Sequence, residues 1–265
     1  MTVQALYTAS TGMQALESKL DVIANNLANV GTVAYKKDRA NFEDLFYRHY
    51  VVPGAEQQAP QTGVGTAVGL GTRVSSVQTN FMQGAFEQTN RETDVAIVGN
   101  GFFQVSDSAG NIYYSRAGNF SINADGELVL GSGNLGRRVE PTITIPQDKE
   151  SLSIRPDGTV LVKQVGQQDF QQIGQLQLAI FRNPEGLMKV GDNLYSPSQA
   201  SGQANLVTAG EQGAGVIQHQ FLEQSNVEPV RELIDLIQTQ RNFELNSQAV
   251  QTGDQMMQLI SSLRR

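Results

Sequence analysis

Side chains able to do chemistry are few in this chain, and they do not gather. Only two histidines occur, His49 and His219, and there is no cysteine at all. No HExxH or HxH spacing surrounds either histidine, so no metal centre is expected, and thiolate chemistry is excluded. A serine nucleophile would be signalled by a GxSxG elbow, which is absent. The acid pairs Glu92/Asp94 and Asp125/Glu127 lie in turn-like contexts and read as structural turns. The glycine run "GVGTAVGLG" has Gly63 and Gly65, but its third glycine, Gly69, falls one position late for a dinucleotide fingerprint. No strand-to-helix context follows to hold a pyrophosphate, so the run is expected to be a loop. "GNGFF", Gly99 to Phe103, reads as a turn leading into a buried strand. No catalytic residue, cofactor or metal is assigned, and the chain is not expected to be an enzyme.

Composition narrows the field further. With 265 residues the chain can bury a core as one or two domains. A net charge of -7 argues against a surface that tracks nucleic-acid phosphates, which needs clustered Lys and Arg. The small cluster Lys36, Lys37, Arg39 is interleaved with acids and reads as a solvated turn. No apolar run approaches the ~20 residues of a membrane span, so no direct membrane insertion is expected. The first twenty residues lack the basic region and continuous apolar core of a cleavable signal peptide.

What the sequence does carry is periodicity at both ends. Leu6, Ala9, Met13, Leu16, Leu20, Ile23, Leu27 and Val30 are spaced by alternating steps of three and four, the seam of a helix that faces a partner. Gly12 weakens this helix but admits a close neighbour. Asn25, Asn26 and Asn29 crowd its end, and Asn29 and Gly31 tolerate the left-handed backbone that stops a helix. At the other end Leu236, Phe243, Val250 and Met257 step by seven, while Leu233, Ile237, Ala249, Met256, Ile260 and Leu263 widen the apolar face. Pro229 suits a first turn, Ser225 or Asn226 stands where a cap belongs, and Arg264 and Arg265 suit the end of the helix dipole. Two such helices would be about 40 and 50 Å long. So much apolar stripe on two helices predicts partners outside the molecule.

Between them the period changes. Segments such as "VAIVGNGFFQV", "TITIP" and "LSIRPDGTVLVK" alternate with turn signals, and Asp125-Gly126 and Asp157-Gly158 each precede a short strand, Glu127–Leu130 and Thr159–Val162. The expected fold is α+β: long terminal helices pairing as a coiled coil (residues 1–31 and 229–265), an extended connector (32–71 and 221–228) and a central antiparallel β-rich outer domain (72–220). The Pro/Gly/Gln-rich part of the connector runs from Arg48 to Gly71.

These stretches resemble a known family. "ANNLANVGTVAYKKDRANFEDLFY", Ala24 to Tyr47, is similar to the N-terminal signature of bacterial flagellar rod and hook proteins, and "FLEQSNVEPVRELIDLIQTQRNFELNSQAVQTGDQMM" is similar to their C-terminal helix. "TDVAIVGNGFFQV", "YYSRAGNFSINADGELV" and "ITIP" match landmarks of their β domain. Gly31, Val33 and Ala34 depart from the family pattern, where a Ser or Asn, an Asn and a Gly are usual, so Gly31 is expected to supply the flexibility of the turn. Length and the "PGAEQQ" connector are closest to the distal rod branch.

The resemblance implies a structural subunit of the distal rod, self-assembling into a helical tube that transmits torque from motor to hook. A hook or proximal rod subunit is the alternative within the family, and a secreted β-rich binding module the alternative outside it. Implied partners are many copies of the chain itself, proximal rod and hook proteins, and the ring proteins around the rod. The implied place is the periplasm-spanning rod of the basal body, reached through the flagellar type III apparatus without a cleaved signal peptide. The expected assembly interface comprises Leu6, Met13, Leu16, Leu20, Ile23, Leu27, Asn25, Asn26 and Asn29 on the first helix side, and Leu233, Leu236, Ile237, Phe243, Val250, Met257 and Ile260 on the second.

Overall fold

The computed structural model describes residues 2–51, 65–131, 137–167 and 169–263. The PGAEQQ segment, Gly63, Arg264 and Arg265 lie outside them. The chain is α+β, with a helix at each end, α1 (Thr2–Ala28) and α2 (Pro229–Leu263), and antiparallel strands between. It divides into two compact units. The first holds residues 1–28, 38–79 and 228–265, and the second holds residues 29–37 and 80–227.

In the helical unit α1 and α2 pack antiparallel. A Cβ added at Gly12 would lie 3.3 Å from the Asn246 amide, and one added at Gly253 would lie 2.5 Å from Leu6 Cδ2. Gly12 thus admits a close neighbour, as its spacing suggests, and Gly253 does the same from the other helix. The same unit contains a twisted ribbon in which Asp38–Asp44 pairs antiparallel with Thr72–Thr79. Within the segment expected to be an extended connector, Tyr47–Val51 pairs with Thr66–Gly69. The run expected to be a loop therefore contains a strand, and Gly71 after it packs so closely on α1 that a Cβ would lie 2.2 Å from Thr11 Oγ1.

The second unit is built on one large antiparallel sheet with smaller sheets around it. Alternation sorts its side chains into two cores, because successive residues of a strand point to opposite faces. In Phe102–Ser106 the ring of Phe103 joins the main aliphatic core with Ile97, Leu128, Val160 and Leu178. The neighbouring Phe102 joins an aromatic cluster with Tyr114, Phe181 and Tyr195. Its rings meet edge to face, with Phe102 and Phe181 centroids 5.7 Å apart.

The Asp-Gly turns form as the sequence indicates. Gly126 N–H donates to Asn123 O at 3.1 Å and Gly158 N–H to Arg155 O at 2.9 Å. Both glycines have φ above +80°, which Gly adopts at little cost.

Three local expectations change. The left-handed position of the turn after α1 falls on Ala34, φ 54°, and not on Gly31. Asn226 does not cap α2: its side chain accepts from Lys37 N–H at 2.8 Å and donates to Asn80 O and Met82 O. Ser225 Oγ accepts from Val227 N–H at 3.3 Å, ahead of the helix.

A close backbone approach gives a direct test. A Cβ at Gly118 would lie 1.8 Å from Val95 O, against the strand Val95–Val98, whereas one at Gly31 would meet nothing within 4 Å. Gly118→Ala is expected to cost at least the upper end of the ~1–3 kcal/mol of an overpacked core. Gly31→Ala is expected to be near neutral. Denaturant unfolding of the two variants, followed by near-UV circular dichroism, measures the contrast.

Candidate functional site

The residues singled out at the chain ends fall into graded positions on the helical unit. Ile23 and Asn26 are buried, while Leu6, Met13, Leu16, Leu20 and Leu27 are half-buried. Asn25 is exposed. On α2, Leu236 and Val250 are half-buried, whereas Phe243, Met257, Leu233, Ile237 and Ile260 are 36, 41, 45, 51 and 56 % exposed.

The side of α2 that meets α1 is made by other residues. Glu232 and Thr239 are the buried residues of α2, and Asn246 and Gly253 continue the same line in steps of seven. Thr239 Oγ1 donates to Asp235 O at 2.6 Å, closing its hydroxyl on its own helix. The centre of the seam is thus polar, with Leu236 and Val250 half-buried at its flank, and the more exposed apolar side chains of α2 point away from it. Sequence reasoning missed this line because it looked for apolar heptads. The step of seven through 232, 239, 246 and 253 was the available signal.

Asn26 shows why amides end α1. Its Oδ1 accepts from Asp38 N–H and its Nδ2 donates to Asp38 O, both at 2.9 Å, so one side chain stands in for a paired strand residue. A further bond runs from Nδ2 to Glu232 Oε2 at 3.4 Å. In the other unit, Asn29 Oδ1 accepts from Thr32 Oγ1 and Asn29 O from Thr32 N–H, both at 3.1 Å, closing the turn that follows α1.

The β-rich unit contains a buried charged cluster that the sequence did not reveal. Lys36, expected on a solvated turn, is fully buried. Its Nζ donates to Glu223 Oε1 at 2.5 Å and to Met82 O at 2.8 Å. Arg116, 4 % exposed, donates from Nε to Glu223 Oε2 at 2.7 Å, and its other nitrogens donate to the carbonyls of Ile97, Gly99 and Gly101. Gly84 N–H also donates to Glu223 Oε1. The correction has a plain cause: a lone lysine near acids reads as surface, and only a carboxylate 187 residues away makes its burial tolerable.

Electrostatics follow from the count of charges. Burial pushes the Lys36 ammonium down from its ordinary 10.5, against the pull of Glu223. Burial works against the Glu223 carboxylate too, but Arg116 and then Lys36 outweigh it and hold its carboxyl below the ordinary 4.5. One anion faces two cations, so the anion is the better stabilised partner. All three charged side chains are buried. The cluster is a clamp joining three strands of chain, not a reaction centre.

Elsewhere the histidines stay apart. His49 is exposed, and His219 Nε2 lies 2.8 Å from Glu92 O. Among the described residues no three His, Asp or Glu side chains group as a metal site would need.

The comparisons agree with a structural role. Residues 6–36 match the family described as "Flagella basal body rod protein", residues 96–162 match "Flagellar hook protein FlgE/F/G D1 domain", and residues 218–263 match "Flagellar basal body rod FlgEFG protein C-terminal". The chain belongs to the flagellar basal-body rod protein family, a family of structural proteins and not of enzymes. Among its relatives is the flagellar basal-body rod protein FlgG of Caulobacter vibrioides, 42 % identical over 99 % of this chain and 100 % of that one. The FlgG proteins of Agrobacterium fabrum, 41 % identical over 98 % of both chains, and of Bacillus subtilis, 36 % identical over 99 % and 100 %, align over the same span. Membership sets aside the secreted binding module.

Removing the anion of the clamp leaves two buried cations unmatched. Glu223→Gln is expected to cost about 3–5 kcal/mol. Lys36→Met is expected to cost less, because Arg116 still neutralises Glu223. The pH dependence has a fixed sign. The folded state keeps Glu223 ionised to lower pH than the unfolded chain does, so its contribution is complete above about 4.5 and drains away as pH falls below that value. The stability difference between wild type and Glu223→Gln, measured by thermal melts from pH 7 to pH 3, should therefore be flat and then shrink.

Proposed function

We propose that this chain is a structural subunit of the distal rod of the bacterial flagellum, many copies of which build a helical tube that carries torque from the motor to the hook. One observation carries the reading. The second helix keeps Val230, Ile234, Leu245, Leu259 and Leu263 59–86 % exposed, although α1 is packed along most of it, and its last turns run past the end of α1. Such a face costs free energy in water and is relieved by burial against other molecules, at roughly 25 cal/mol per Å². In the tube α1 and α2 pair as a coiled coil, and those expected interface residues that stay exposed meet neighbouring copies. Head-to-tail contacts of this kind do not close on themselves and so generate a filament.

In this reading the subunit meets proximal rod proteins at one end and hook proteins at the other, with ring proteins around it. It reaches the periplasm-spanning rod through the flagellar type III apparatus without a cleaved signal peptide. The absence of cysteine suits such a route, since no disulfide has to be opened before threading. The full-length similarity to proteins named for the basal-body rod favours the rod over the hook.

Leu259→Glu with Ile260→Glu tests the reading, because both side chains are exposed and neither supports the seam with α1. The double variant should keep the near-UV circular dichroism of the β-rich unit, fail to form tubes in electron micrographs, and abolish swimming when it replaces the native chain. Normal swimming with this variant would refute the proposed face.

A further inference from the structure

The outward face of α2 has its own period, different from that of the seam. Ile234, Leu245 and Met256 recur every eleven residues and are 52–62 % exposed, with Ile237 and Leu259 beside them. Eleven residues make three turns at about 3.67 residues per turn, close to an unstrained helix, so this stripe runs almost straight along α2. Polar side chains interrupt it at Gln238, Arg241, Gln248 and Thr252, and Arg241 is the one charge among the four. That guanidinium is exposed, and among the described residues it forms no ion pair.

The solvent side of α1 is the complement of this stripe. Along it Ser10, Gln14, Ala24 and Ala28 are small or polar, and Tyr7, 58 % exposed toward the N-terminal end, is its one bulky side chain. Between them stand two exposed acids one helical turn apart, Glu17 and Asp21, again without an ion-pair partner among the described residues. The antiparallel register fixes their height. Gly12 is level with Asn246, and Leu6 with Gly253. Five residues on in α1 and five back in α2, Glu17 is level with Arg241.

We propose that α2 of one copy docks by this straight apolar stripe on the small-residue side of α1 of a second copy, with Arg241 seated between Glu17 and Asp21 of that copy. The proposal rests on the assembly reading above and adds which faces meet and what sets their height. A copy displaced sideways brings α2 against α1, and between Ser10 and Ala28 the stripe meets only small or polar side chains. Two acids about 6 Å apart along the helix keep the pair within reach over an axial step of up to roughly one turn. A cation in the middle of an apolar stripe is then a register mark. Sliding by two turns removes its anion and buries it against alanine and serine.

Charge exchange on the full chain tests this. Arg241→Glu alone, and Glu17→Arg with Asp21→Arg, should each lower the yield of sedimentable tubes by at least about tenfold, since each sets like charges face to face. Combining all three should bring the yield back to within about twofold of wild type. Because the native chain has no cysteine, an independent check is clean. Glu17→Cys and Arg241→Cys subunits, differently tagged and mixed, should be joined in the pellet by a short bis-maleimide. Arg241→Glu tubes at wild-type yield, or no rescue and no cross-link in tubes that do form, would overturn the contact while leaving assembly standing. Failure of the wild-type chain to form tubes at all would overturn the assembly reading, and this contact with it.

Discussion

The helical unit depends on a division of labour around α2. Packing two long helices side by side usually means facing their largest apolar side chains inward, but here the inward line is Glu232, Thr239, Asn246 and Gly253. Small side chains let the axes approach closely, and polar ones must find partners within the seam, as Glu232 does with Asn26. Both demands narrow the choice of register. Much of the apolar mass of α2 is thereby left outside. A helix pair of this kind is specified by its interior and completed by its surroundings, which is the arrangement a subunit of an axial structure requires.

The β-rich unit solves a different problem with the same economy. The chain crosses between the two units four times, after residues 28, 37, 79 and 227. Lys36 and Glu223 stand close to the crossings after 37 and 227 and bond to each other, with Arg116 bridging to the carbonyls of residues 97, 99 and 101. Asn226 adds a second tie by accepting from Lys37 N–H. Both crossing segments are therefore held by short charge-assisted bonds rather than by apolar contact alone. Such bonds are directional and resist shear better than a greasy surface, along which side chains slide at little cost.

Much of this is legible in the sequence. The alternating three- and four-residue steps of α1, the Asp-Gly turns and the buried strand after Gly99-Asn100 all follow from local rules that need no distant partner. Three features were not legible. The facing line of α2 is a heptad of Glu, Thr, Asn and Gly, and a reading that equates inward with apolar passes over it. Lys36 looks solvated because its anion is far away in sequence. The pairing of Tyr47–Val51 with Thr66–Gly69 has no alternation clear enough to declare a strand, since every residue of the first is exposed. In each case the missing information is a long-range contact, which a local pattern does not contain.

That distance also orders events in time. A chain synthesised from its N-terminus makes Lys36 early and Glu223 late, and until the latter arrives the lysine has no counter-ion that could draw it out of water. The β-rich unit therefore lacks its keystone for most of its production, and the segment holding Lys36 stays hydrated and undocked until nearly the whole chain is present. A latch that closes last keeps an unfinished polypeptide open and pliable, and it commits the shape only once the final helix is about to follow.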